Sequence, residues 1–340
     1  MAAVADLDRV VNVQEGLLRY LESVYNDVFE GDEEVEAAIV PSLEGPSPKK
    51  RRLHRLVTAP ELLVSTQFVE DLIDNNDKNF VVLHVSWDSN ADDYAAERVK
   101  GALCFHGPSC KSDKAGVVNG LPSPEQFAQY VSRLGVSNAD HVILYDAKAD
   151  ANVNFACRVW NMFRIFGHDA CSIMDGGLEK WTREGRLTEG NKPHKKAPFE
   201  ASFRSELVAT FEEVEASVKE GGAVPLIDTR PSGYYNGELL FKKDLPKGHI
   251  RHAINVPTKD NIDPTTKQFK SPSELKRLYS AKSVDLSKPL TSSCATGVTA
   301  NAAVFATKLC GKDDTKLYTG SFVEFCQKAD PSLIKASEEP

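Results

Sequence analysis

The chain has 340 residues, which suits two domains better than one core, and its 41% apolar and 26% charged residues suffice to build and solvate them. Its net charge of −8 is uneven: residues 1–47 hold eleven acids and two bases, leaving a nearly neutral body that argues against nucleic-acid and membrane partners. No 18-residue uncharged apolar run occurs and the seven cysteines form no Cys-x-x-Cys, so no transmembrane helix, structural zinc or disulfide scaffold is expected.

In chain order, residues 5–29 come first, with Val10, Val13, Leu17, Leu21, Val24 and Val28 at the spacing of an amphipathic helix. The period is then lost, and a Pro/Ser patch leads into four consecutive bases at 49–52. Residues 1–56 read as an acidic helix plus a flexible, basic-ended linker. The terminus is acidic and has no apolar stretch behind basic residues, so neither a secretory signal nor a transit peptide is expected. The basic run reads as a solvated linker, with a nuclear-import signal as the sharper alternative.

From residue 57 the chain repeats itself. The stretch 123–146 aligns without a gap on 271–294, at an offset of 148. Each copy opens on a helix cap with proline behind it, Ser123…Gln126 and Ser271…Glu274, and runs through an amphipathic helix into a short apolar strand. Three more pairs follow: 81–87 with 224–230, 100–106 with 251–257, and 175–181 with 319–325. Helices are also expected at 65–73 and at 210–218, the second behind a Thr210…Glu213 capping box. Strands alternating with helices predict an α/β fold: two units, each a mostly parallel sheet with helices on both faces.

The repeat sets Asp146 opposite Cys294, each at the C-terminal end of a strand, the edge at which open parallel sheets bind ligands. Only the second copy follows with a tight run of small residues, Ala295, Thr296, Gly297, Val298 and Thr299. A turn there can aim backbone N–H groups inward at the positive end of the next helix, forming a cradle that suits a nucleophilic thiolate. Cysteine phosphatases need arginine six residues after the cysteine, and Ala300 stands there instead. The other six cysteines read as buried packing thiols.

The stretches 158–181 and 248–257, with Cys-x-x-Gly-Val-Thr at 294–299, resemble the tandem rhodanese family of 3-mercaptopyruvate and thiosulfate sulfurtransferases over about residues 57–335. The resemblance implies two tandem rhodanese-like domains: 57–186 non-catalytic, 187–204 a linker, and 205–338 catalytic. It further implies sulfur transfer without metal or cofactor, from a small-molecule donor through a Cys294 persulfide to cyanide or a thioredoxin-like or glutathione-like thiol. Thiosulfate-preferring members resemble Cys-Arg-Lys-Gly-Val-Thr; the neutral Ala295 and Thr296 are closer to mercaptopyruvate-preferring Cys-Gly-Ser-Gly-Val-Thr.

Three departures accompany the match. The family's substrate-carboxylate arginine is replaced by Tyr234, and a second arginine by Lys242 or Lys243, which keep charge without the guanidinium fork. In the first repeat the histidine that assists the loop hydroxyl is absent from 97–102. Arg230 reads as the partner of Asp228 behind the loop, with substrate contact the lesser option, while His249 and His252 read as loop-fixing. The rival to an enzyme is a non-enzymatic module that carries persulfide or binds partners. A cytoplasmic location is expected, with a mitochondrial one by family habit or a nuclear one by the basic run as alternatives.

Overall fold

A computed structural model describes residues 61–77, 79–87, 98–112, 116–146, 154–186, 188 and 197–335. The expected helix at 5–29, the basic run at 49–52 and half of the linker at 187–204 lie outside the described residues.

The first half is a five-stranded, all-parallel sheet of β1 (Leu63–Val64), β2 (Phe80–Ser86), β3 (Leu103–His106), β4 (His141–Asp146) and β5 (Cys171–Met174), in the order β1-β5-β4-β2-β3. Its helices are α1 (Thr66–Asp74), α2 (Pro124–Leu134), α3 (Asn154–Ile165) and α4 (Gly177–Arg183). The second half repeats this with β6 (Leu226–Asp228), β8 (Ile254–Asn255), β9 (Thr291–Ser293) and β10 (Lys316–Leu317), in the order β10-β9-β6-β8. The counterpart of β1 is reduced to a single parallel bridge, Val208 to Leu317. Helices α5 (Phe211–Lys219), α6 (Ser232–Tyr235), α7 (Pro272–Ala281), α8 (Ala300–Leu309) and α9 (Ser321–Lys328) complete this half. A small antiparallel pair, β7 (His249–Ile250) with β11 (Ile334–Lys335), is the one departure from parallel pairing among the named strands.

The helices start where the sequence places their caps. Ser123, Thr210 and Ser271 each accept the N–H of the third residue on, whose side chain bonds back to the cap, giving three capping boxes. Such a cap contributes about 1 kcal/mol. Side-chain alternation along β2 then decides the layers: Val81, Leu83 and Val85 face α2 and α3, while Val82 faces the side of Val69 and Trp181. In the second half Ile227 packs with Leu275 and Tyr279, and Leu226 with Val214, Val218 and Phe325 on the opposite face.

One apolar cluster runs through both halves. Helix α8 is buried from Ala300 to Thr307, and its alanines let α3 approach closely, so that the Trp160 and Phe305 rings meet edge to face at 4.8 Å. Burying a Phe-sized side chain stabilises by about 1.5–3 kcal/mol, so this seam holds the halves together and carries the N-terminus of α8 into the interface.

Candidate active site

Strand β9 delivers Cys294 to the C-terminal edge of the second sheet, 1% exposed, with α8 starting six residues later. Between them the loop turns on Gly297 at φ +85°, where a Cβ would stand 2.2 Å from the Thr319 carbonyl oxygen. Glycine is therefore required twice, by conformation and by contact. The turn brings the Gly297 N–H to 3.1 Å from Cys294 Sγ.

The loop's carbonyls are tied away from the sulfur. The Phe322 and Val323 N–H groups in the first turn of α9 donate to the Cys294 and Ala295 oxygens, both at 3.0 Å. Asn301 Nδ2 donates to Gly297 O and Val298 O at 2.9 and 2.7 Å. Peptide units are planar and trans, so pulling these oxygens outward turns the following N–H groups the other way. Among the described residues the N–H groups of Ala295, Thr296 and Val298 have no acceptor. Together with Gly297 N–H they make a cradle for an anion at or beyond the sulfur.

Ser321 supports the thiol from below. It holds φ +53°, accepts the Cys294 N–H at 3.1 Å, donates to Tyr318 O at 2.8 Å, and its oxygen lies 3.9 Å from Sγ. Thr299 turns its hydroxyl to Thr229, 3.3 Å away. Thr296 looks across the interface: its Oγ1 accepts from Asn119 Nδ2 at 3.0 Å. Arg158 of α3, wholly buried, donates to Gly297 O at 3.3 Å and to Asn119 O at 2.8 Å. Burial lowers its guanidinium to about 10, opposed by the thiols of Cys110 and Cys294, so it is a cation at neutral pH. Asn161 Nδ2 donates to Asn301 Oδ1 at 2.9 Å and fixes that amide.

Burial pushes Cys110 and Cys326 up to about 12 and raises Cys157, Cys171 and Cys310. All seven cysteines are free, and no group of three or more potential metal ligands occurs among the described residues.

Arg230 is turned into the core. It is 1% exposed, forks onto the Asp228 carboxylate at 2.6 and 2.9 Å, donates to Gly248 O, and lies 3.9 Å over the Phe322 ring. Tyr234 is buried on α6 beside Phe241. Lys242 pairs with Asp244 at 3.2 Å, whereas Lys243 is exposed and has no ion pair within the described residues. His249 stacks on Tyr235 at 3.7 Å and bonds its carbonyl, and His252 sits in a turn at φ +65°. A cleft of about 340 Å³ between the halves runs past Gly120 on one side and Thr319 and Glu324 on the other; larger cavities, near Cys310 and at the opposite sheet edge, lie away from the loop.

Sequence reasoning missed Asn119, Arg158, Asn161, Asn301 and Ser321. Ser321 had a signal: the repeat aligns it with Gly177, and both hold nearly the same positive φ, +53° and +54°. Asn301 stands out as a polar residue in an alanine-rich helix. Asn119, Arg158 and Asn161 act from the other half and leave no local mark.

The rhodanese-like domain family matches the chain twice, at residues 65–184 and 210–328. A 3-mercaptopyruvate sulfurtransferase from Homo sapiens is 36% identical over 71% of this chain and 81% of its own length. A thiosulfate sulfurtransferase from Bos taurus is 37% identical over 74% and 86%. Among solved structures, the 3-mercaptopyruvate sulfurtransferase SseA from Escherichia coli superposes with a TM-score of 0.68 at 28% identity, covering 77% of this chain and 99% of that one.

Proposed function

Because the chain belongs to the rhodanese-like family and is a sulfurtransferase, we propose that Cys294 is the residue that carries the sulfur and that 3-mercaptopyruvate is the preferred donor. The observation that carries this reading is the cradle, with Gly297 N–H on Sγ and four loop carbonyls tied outward. The Cys294 thiolate attacks the donor's sulfur; the carbon–sulfur bond breaks, its electron pair leaves as the enolate of pyruvate, and a proton completes pyruvate. The bound sulfur then lies as a persulfide among N–H donors, of the kind that contribute a few kcal/mol when aimed at developing charge. A thiol acceptor, thioredoxin-like or glutathione-like, takes the outer sulfur and frees the cysteine.

Ala295 and Thr296 add no charge to the loop, which favours a donor with one carboxylate over the thiosulfate dianion. Of the sequence candidates for that carboxylate, Lys243 has its charge available, Lys242 shares its own with Asp244, and Arg230 is spent on Asp228. Seven free thiols suit a reducing, cytoplasmic setting. The test is steady-state release of pyruvate and sulfide from 3-mercaptopyruvate with a thiol acceptor, run beside thiosulfate with cyanide. Higher kcat/KM for mercaptopyruvate is expected. A thiosulfate preference would overturn the donor assignment, and a folded protein that turns over neither would be a carrier or binding module instead.

A further inference from the structure

A hydroxyl has one hydrogen to give and two lone pairs to receive with, so its partner decides which way it acts. At Thr296 the partner is an amide N–H from the opposite half. Asn119 and Thr296 are each 2% exposed, so little solvent competes for that contact. The segment carrying Asn119 is held in register with the loop by one cation: Arg158 Nη2 donates to Asn119 O at 2.8 Å and Gly120 O at 3.3 Å, while Nη1 donates to Gly297 O. The Ser112 N–H donates to Gly120 O at 3.1 Å and closes the segment from its other side.

We propose that Asn119, contributed by the half that lacks the thiol, is a positioning residue of the transfer site: by donating to Thr296 Oγ1 it commits that hydroxyl to donate its own hydrogen to the anion in the cradle. The proposal rests on the sulfur-transfer reading of Cys294. An amide does not titrate between pH 5 and 9, so the hydroxyl keeps one orientation across that range. The charged and titratable groups recorded around this contact are Arg158, Cys110 and Cys294. Arg158 remains protonated throughout, and burial keeps Cys110 a neutral thiol.

Pre-steady-state persulfide formation from 3-mercaptopyruvate tests this in the full chain, using Asn119→Ala, Asn119→Asp, Thr296→Ala and the Asn119→Ala/Thr296→Ala double variant. Thr296→Ala is expected to slow the step by about ten- to a thousand-fold, the range for losing one preorganised donor. Asn119→Ala is expected to reproduce most of that loss, with the double variant no slower than Thr296→Ala alone. Asn119→Asp is nearly isosteric and accepts where the amide donated, so it claims the hydroxyl hydrogen. Its rate relative to wild type should be depressed at pH 8 and recover as falling pH protonates the new carboxyl. A purely structural role would not produce that recovery. Multiplicative effects in the double variant, or an Asn119→Asp ratio flat with pH, would overturn the proposal while leaving the transfer reading intact. A wild-type chain that forms no persulfide would overturn that reading itself, and the proposal with it.

Discussion

At the end of β4 the chain places Asp146; at the end of β9, in the same position of the repeat, it places Cys294. Up to that point the halves run in step. Beyond it, 20 residues separate Asp146 from Gly167 but only 16 separate Cys294 from Gly311, although both glycines stop the next helix at φ near +90°. The shorter connection is what folds into the cradle. The carboxylate half meets its helix differently: Asp146 Oδ1 accepts the Ala156 N–H at 2.9 Å, Oδ2 has no partner among the described residues, and burial pushes the carboxyl up to about 8. One helix N-terminus holds an acid that is better off neutral. The other surrounds a thiol with backbone N–H groups, that of Gly297 lying 3.1 Å from its sulfur.

The strand beside each site differs in the same sense. The first half has Val85 and Trp87 where the second has Asp228 and Arg230, and Trp87 stacks on Phe155 with ring centroids 5.2 Å apart. The comparison breaks hardest at this pair. Arg230→Met would strand the Asp228 carboxylate in the core and should cost roughly 3–5 kcal/mol. Chemical denaturation of the second half is the readout, with KM for mercaptopyruvate measured alongside. A raised KM at unchanged stability would return Arg230 to the substrate.

Next in size are two glycines on either side of α8. Gly297→Ala should lower kcat by roughly a hundred-fold and stability by about 1–3 kcal/mol, because its methyl meets the Thr319 carbonyl at an unfavourable φ. Gly311→Ala has the same handicap of φ, +91°, but nothing within 4 Å of its methyl. It should cost only about 1 kcal/mol and leave kcat alone. Equal effects on kcat would mean that the loop tolerates rearrangement and the cradle is not its working form.

The smallest effect on sulfur transfer belongs to Asp146. Its folded-state carboxyl is raised to about 8 from an unfolded value of about 3.9, so the wild type is favoured below pH 4 and loses that advantage as pH climbs toward 8. Asp146→Asn removes the titration. The variant's melting temperature should match wild type near pH 4 and exceed it by a margin that widens as pH rises toward 8. Sulfur transfer should be unchanged. A constant difference across pH would mean that Asp146 ionises freely in the fold.

Much of this contrast could be read from the chain. The capping boxes, the strand ends and the small-residue loop are local patterns, and the repeat converts them into a register that singles out Cys294. The Asp228–Arg230 pair was legible too, because two residues apart at a strand end can close on each other. What sets Thr296 and Gly297 was not. Asn119 and Arg158 reach the loop from 177 and 139 residues away, and a contact across a domain seam has no period to betray it. Lys242 and Lys243 look equivalent in sequence, and only the fold gives one of them an aspartate.

On this reading one thiol out of seven carries the sulfur, because one loop builds the cradle. Incubating the full chain with 3-mercaptopyruvate, without acceptor, and mapping peptides by mass spectrometry under non-reducing conditions tests it directly. The mass of one added sulfur atom is expected on the peptide containing Cys294, lost on adding a thiol acceptor and absent in Cys294→Ser. Sulfur retained by Cys294→Ser, or appearing first on Cys110, Cys310 or Cys326, would contradict it.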